Sequence, residues 1–143
     1  MSLLKKNETQ VRVIYADTDA MGIVYHTNYI KWFEIGRTEL LREMEVVYAE
    51  VESSGYYLPV TEAYCHYLLP ARYDDILVVQ TVISNVRRAS IQFDYQIRNG
   101  GNGKILAKGF TIHAFVNRKG TIVRVPRDIM EKIRKWEEST SGE

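Results

Sequence analysis

Near Gly55 the hydrophobic period of this chain changes from helical to alternating, and that change limits what it can fold into. Before it, Tyr29, Phe33, Gly36, Leu40 and Met44 form one stripe, with Lys31, Glu34, Thr38 and Arg42 on the other faces. That spacing predicts a helix over residues 28–44, with Thr27 or Asn28 as its N-cap. Gly36 weakens such a helix, so its place on the apolar stripe points to close approach of a sheet. A second helical piece is expected at Tyr48–Ser53, closed by Gly55. Beyond it, residues 56–69, 75–86, 90–98 and 104–117 read as strands, with a short one at 121–125. The clearest alternation sets Ile91, Phe93, Tyr95 and Ile97 against Gln92, Asp94, Gln96 and Arg98. The connections at 87–89, 99–103 and 118–120 are so short that successive strands must be antiparallel. A first strand is expected at residues 11–15. Pro126 and Asp128 open a terminal helix with Ile129, Ile133 and Trp136 on its apolar stripe.

One long apolar helix against a curved antiparallel sheet makes an α+β domain. The 143 residues (1–143) form a single domain, long enough to bury a core without disulfide or metal. Cys65, the one cysteine, excludes an internal disulfide and fits a reducing compartment. A net charge of +1 gives no global reason to expect nucleic acid or an anionic membrane as partner. No apolar run is long enough to span a membrane, and residues 1–10 are polar. The expectation is a cytoplasmic chain without membrane insertion. Only residues 139–143 look like a frayed tail.

Chemistry-bearing residue types crowd into residues 15–37. Asp17, Asp19, the glycine turn at Gly22 and His26 immediately precede the long helix. A carboxylate beside the unpaired amides of a helix start can attack a polarised carbonyl, or draw a proton from water that does so. Read locally, residues 17–20 are also an ordinary turn, Gly22 a loop glycine and His26 a surface or packing histidine. Asp17 would raise the pKa of Asp19 if the two faced each other. Glu34 and Arg37, three apart, read as a solvated ion pair or as an anchor between helix and sheet. The glycine run 100–104 lacks the Ser or Thr of a phosphate loop. Cys65, His66, His26 and His113 have no zinc-like spacing, so no metal is expected. Ten tyrosines without a basic groove do not make a nucleic-acid surface.

The string Asp17-Thr-Asp19-Ala-Met-Gly22-Ile-Val24-Tyr25-His26-Thr-Asn28-Tyr29, followed by Glu34 and Arg37, resembles the signature of hotdog-fold acyl-CoA thioesterases. More narrowly, it is similar to the 4-hydroxybenzoyl-CoA thioesterase-like group that includes the Tol-Pal-associated acyl-CoA thioesterases. In pattern the resemblance reaches the last helix. It implies a hotdog fold, a curved antiparallel sheet of five to six strands wrapped around one long central helix. It also implies hydrolysis of an acyl-CoA thioester to a carboxylic acid and coenzyme A. By the same resemblance Asp19 is nucleophile or general base, His26 assists, and a backbone amide at or beside His26 holds the oxyanion. Gly22, Val24, Tyr25, Asn28 and Tyr29 would surround the acyl group, and Arg88 and Ser90 would hold the nucleotide. Tyr25, Tyr29, Tyr56, Tyr57, Tyr64 and Tyr67 are candidates for core and acyl tunnel. No cofactor is needed, because a thioester is already activated. The resemblance further implies a homodimer or homotetramer with the site at an interface. Two other readings stay open. One is a non-catalytic acyl-CoA-binding or envelope-associated interaction module; the other is a hotdog dehydratase, whose histidine normally lies elsewhere.

Overall fold

The computed structural model describes residues 4–139; the first three residues and residues 140–143 of the expected tail lie outside that range. The chain runs β1 (Lys6–Arg12), a 3-10 turn (Tyr15–Asp17), α1 (Asn28–Glu43), α2 (Tyr48–Ser53), β2 (Val60–Tyr67), β3 (Ile76–Val86), β4 (Ser90–Asn99), β5 (Ile105–Ala114) and α3 (Arg127–Glu138). The five strands form one sheet in the order β1-β3-β4-β5-β2. Every neighbouring pair is antiparallel. With α1 lying across one face, this is the arrangement the resemblance implied.

Two expected strands differ. The first is Lys6–Arg12, paired with β3 from Lys6↔Val82 to Arg12↔Ile76, and not residues 11–15. As an edge strand it half-buries only Asn7, Thr9 and Val11, so polar residues suffice and the apolar signal is faint. Val13 is fully buried beyond its end, and Tyr15–Asp17 turns away. Residues 121–125 do not form a strand. Ile122 makes a single bridge to Val116, and the Val125 amide donates instead to the Arg88 carbonyl (2.9 Å).

α1 packs against the sheet through Trp32, Phe33, Gly36 and Leu40, and Phe33 stacks on Tyr95 at 4.2 Å between centroids. Gly36 sits so close to β3 that a Cβ there would run into the Thr81 hydroxyl and come within 2.8 Å of Val79 Cγ1. The glycine on the apolar stripe is therefore a packing requirement. α3 adds the buried Ile129, Ile133 and Trp136.

One polar chain crosses the core. His113 is 1 % exposed and its Nδ1 lies 3.0 Å from the Leu58 carbonyl. Since that carbonyl can only accept, Nδ1 carries the proton and Nε2 accepts from Thr111 Oγ1 (2.9 Å). Thr111 in turn accepts from the Tyr95 hydroxyl (2.6 Å). The chain needs a neutral imidazole, and burial pushes His113 down to about 4. Arg37, beside the ring, pushes the same way.

Two outcomes follow. Gly36→Ala gains about 1 kcal/mol of helix propensity but overpacks the contact with β3, which costs about 1–3 kcal/mol, so the denaturation midpoint should fall. An unfolded histidine takes up its proton near 6.5, whereas folded His113 does so near 4. The stability it contributes is present above pH 6.5 and lost as pH falls from 6.5 towards 4, by up to about 3 kcal/mol. Denaturant titrations across that range should show the loss, and His113→Asn should flatten it.

Candidate active site

After β1, Val13 is clamped to the start of β3: its amide donates to the Asp75 carbonyl (2.9 Å) and its carbonyl accepts from the Asp74 amide (3.0 Å). The following segment folds into a small hairpin, with Thr18 bridged to Val24 and the Asp19 amide donating to the Ile23 carbonyl (2.9 Å). Gly22 closes it at φ +76°, a conformation that suits glycine. The returning arm is tied to the chain before β3, where the Val24 amide donates to the Ala71 carbonyl (2.9 Å).

The two carboxylates are used differently. Asp19 is exposed, and its Oδ1 accepts from the amides of Met21 (2.8 Å) and Ile23 (3.2 Å). Its Oδ2 accepts nothing among the described residues, so the carboxylate is fixed by one oxygen and free at the other. Asp17 is 4 % exposed. Its Oδ2 accepts from the Ile14 amide (3.0 Å), and its Oδ1 lies 2.7 Å from Lys31 Nζ. One carboxylate reaches back to close the 3-10 turn and the other folds forward into the hairpin. The two carboxylates do not face each other.

The Asp17 carbonyl receives two more donors, the Tyr25 amide (2.8 Å) and Asn28 Nδ2 (2.9 Å). Asn28 is therefore the first helical residue and a strut to Asp17, not a cap. Thr27 occupies the N-cap, without a side-chain cap bond. Among the described residues the amides of His26 and Thr27 find no acceptor. Two free donors thus sit at the positive end of α1. The exposed His26 ring packs edge-on to Tyr67 (6.2 Å) and tilted against Tyr25 (4.6 Å). The Tyr67 hydroxyl donates to the His26 carbonyl (3.1 Å). Desolvation, then the Cys65 thiol, pushes that phenol up to about 12, so it keeps its proton.

An open groove of ≈ 290 Å³ runs past these groups. Ile23, Val24, His26 and Tyr29 form one wall, and Tyr67 to Pro70 the other. Tyr29 is buried beneath it, its hydroxyl accepting from the Ala71 amide (3.2 Å), and burial raises its pKa. Of the residues expected around an acyl group, Val24 and Tyr29 line the groove and Gly22 shapes the hairpin. Tyr25 is 52 % exposed and only supports His26. Tyr56 and Tyr57 lie elsewhere, and Tyr64 stacks on Phe110 at 5.5 Å. Leu68, Leu69 and Pro70 were missed; two exposed leucines before a proline were the available signal.

Arg88 and Ser90 are not brought to Asp19. They sit at the β3–β4 hairpin, whereas Asp19 is pinned to the start of β3. The eleven residues of β3 separate the two by roughly 33 Å at the usual strand rise. The Val125 amide donates to the Arg88 carbonyl (2.9 Å), which sets the backbone that carries Arg124 and Arg127 beside the hairpin that carries Arg87 and Arg88. Glu34 and Arg37 are 4.0 Å apart, with Glu34 in solvent and the Arg37 side chain only 17 % exposed. Arg37 reaches Tyr95, which favours the anchoring reading over a solvated pair. The described residues contain no cluster able to hold a metal ion.

The model of the thioesterase-like superfamily matches residues 13–133. YneP of Bacillus subtilis, whose name proposes an acyl-CoA thioesterase, is 35% identical over 116 residues, covering 81% of this chain and 82% of its own. The acyl-CoA thioester hydrolase YbgC of Escherichia coli is 39% identical over 92 residues, 64% of this chain and 69% of its own. Among solved structures, the DHNA-CoA thioesterase from Staphylococcus aureus superposes with a TM-score of 0.85 at 25% identity, covering 95% of both chains.

Proposed function

The chain belongs to the thioesterase-like superfamily, and on that premise we propose that it hydrolyses acyl-CoA thioesters to a carboxylic acid and coenzyme A. The observation that carries the assignment is Asp19 itself. Its carboxylate is held by the amides of Met21 and Ile23 and, among the described residues, leaves one oxygen free; Ile23 in turn lines a groove that also takes in His26 at the helix start, where two amides have no acceptor among the described residues.

The chemistry follows from that placement. With the acyl group in the groove, the carbonyl oxygen points at the His26 and Thr27 amides. Asp19 Oδ2 takes a proton from water as the water oxygen bonds to the carbonyl carbon, or attacks that carbon directly to give an anhydride that water then opens. Negative charge that builds on the carbonyl oxygen meets donors already aimed and needing no reorganisation. The carbon–sulfur bond breaks, and His26 passes a proton to the departing thiolate; the proton taken from water, by Asp19 or as the anhydride opens, replaces it on the imidazole and closes the cycle. The exposed ring, which makes no hydrogen bond among the described residues, is free for that task.

A single chain holds the acyl end and the cationic end too far apart for one ligand. β2 is a sheet edge, exposed along nearly its whole length, with Val60 48%, Tyr64 51% and Tyr67 43% exposed. Two copies paired antiparallel through β2 would bring the Arg88 hairpin of one towards the Asp19 hairpin of the other. The functional unit is then a homodimer with two composite sites, in which Arg88 and Ser90 hold the nucleotide of a substrate whose thioester lies on the second copy.

Thiol release from acetyl, hexanoyl, palmitoyl and benzoyl coenzyme A should occur for at least one acyl group. Asp19→Asn should lower kcat on the order of 10²–10⁴-fold. Binding without turnover on any thioester would favour the non-catalytic module. A single turnover in ¹⁸O-water separates the two routes, since only direct attack leaves label in Asp19. Mixing inactive Asp19→Asn with inactive Arg88→Ala should restore part of the activity, because one of the two composite sites in a mixed dimer is intact. Failure to restore it would place the nucleotide on the same chain as Asp19.

A further inference from the structure

Lys31 lies on a polar face of α1, its side chain 49% exposed, where a lysine ordinarily does little. Here its partner is a carboxylate with 5% side-chain exposure. That same residue binds three other points: Ile14 before the 3-10 turn through its carboxylate, and Tyr25 and Asn28 at the helix start through its carbonyl. Asp17 thus touches both Ile14, at the start of the turn that leads into the Asp19 hairpin, and the segment that presents the His26 and Thr27 amides. We propose that the Lys31–Asp17 ion pair is a latch that sets the distance between the attacking carboxylate and the oxyanion donors, which makes both of them positioning residues. The inference rests on the site reading given above, and neither residue touches substrate.

The physical argument is the state left behind when the latch is cut. Without Lys31, a buried carboxylate keeps only the Ile14 amide as partner, and a buried unpaired charge is strongly unfavourable. The cheapest relief is to turn Asp17 towards water, which pulls its carbonyl away from Tyr25 and Asn28 and displaces the amides. Lys31 itself fills no core position, so the global fold has little to lose. The neutral side chain of the Asp17→Asn variant can still accept from Ile14 and has no charge to expose.

Lys31→Met should therefore lower kcat by about 10-fold or more, with KM within a factor of two, in enzyme that is still folded at the assay temperature. Lys31→Arg should keep activity, and the double variant Asp17→Asn/Lys31→Met should regain most of the kcat lost by Lys31→Met. Amide hydrogen exchange at Tyr25, whose N–H donates to the Asp17 carbonyl, should quicken in Lys31→Met and return in the double variant, a readout independent of turnover. Unchanged kcat and exchange in Lys31→Met overturn the latch, as does a double variant worse than both singles. Asp19→Asn in the same assay separates the two failures: if it stays active, the site reading is wrong; if it is dead while Lys31→Met is normal, only the latch is.

Discussion

The contact of α1 with β3 at Gly36 is the constraint on which the remaining architecture depends. With no side chain between them, the helix backbone lies against Thr81 and Val79. That depth lets Phe33 stack on Tyr95 and Leu40 become fully buried. A helix seated so deeply has its N-terminus fixed relative to the start of β3. The Asp19 hairpin is fastened to that same point of the sheet through Val13 and Val24. The geometry of the proposed site is thus inherited from core packing: the helix end with its amides and the hairpin with the Asp19 carboxylate are both referenced to one strand.

Much of this was legible in the sequence because it was written in periodicity. The switch from the Tyr29–Met44 stripe to the alternation of Ile91 to Ile97 announced one long helix followed by an antiparallel sheet, and Gly36 announced their close approach. What escaped detection had a physical reason. β1 is polar because an edge strand has one neighbour and one half-buried face, so Asn7 and Thr9 serve where a central strand needs Val. Val123 and Val125 look like strand residues, but they pack one by one along the sheet's end and make no ladder.

The site divides in the same way. The Asp17–His26 string was visible as a concentration of reactive types, and the backbone then decided which did what. Spacing alone could not tell that Asp17 points inward and Asp19 outward, because a single 3-10 turn between Tyr15 and Asp17 breaks the extended geometry. Nor could it tell that Lys31, on a face that reads as solvated, reaches a buried carboxylate fourteen residues earlier. The separation of Arg88 from Asp19 is a property of topology, since a hairpin and the start of its first strand are always a strand length apart.

Strand β2 carries a last consequence. Its outer rim offers unmatched backbone donors and acceptors beside Tyr64 and Tyr67, and the apolar Leu68 and Leu69 follow directly. Such a rim can pair with any extended chain that reaches it. The exposed rim is therefore a property of the correctly folded single chain and not only of the unfolded one.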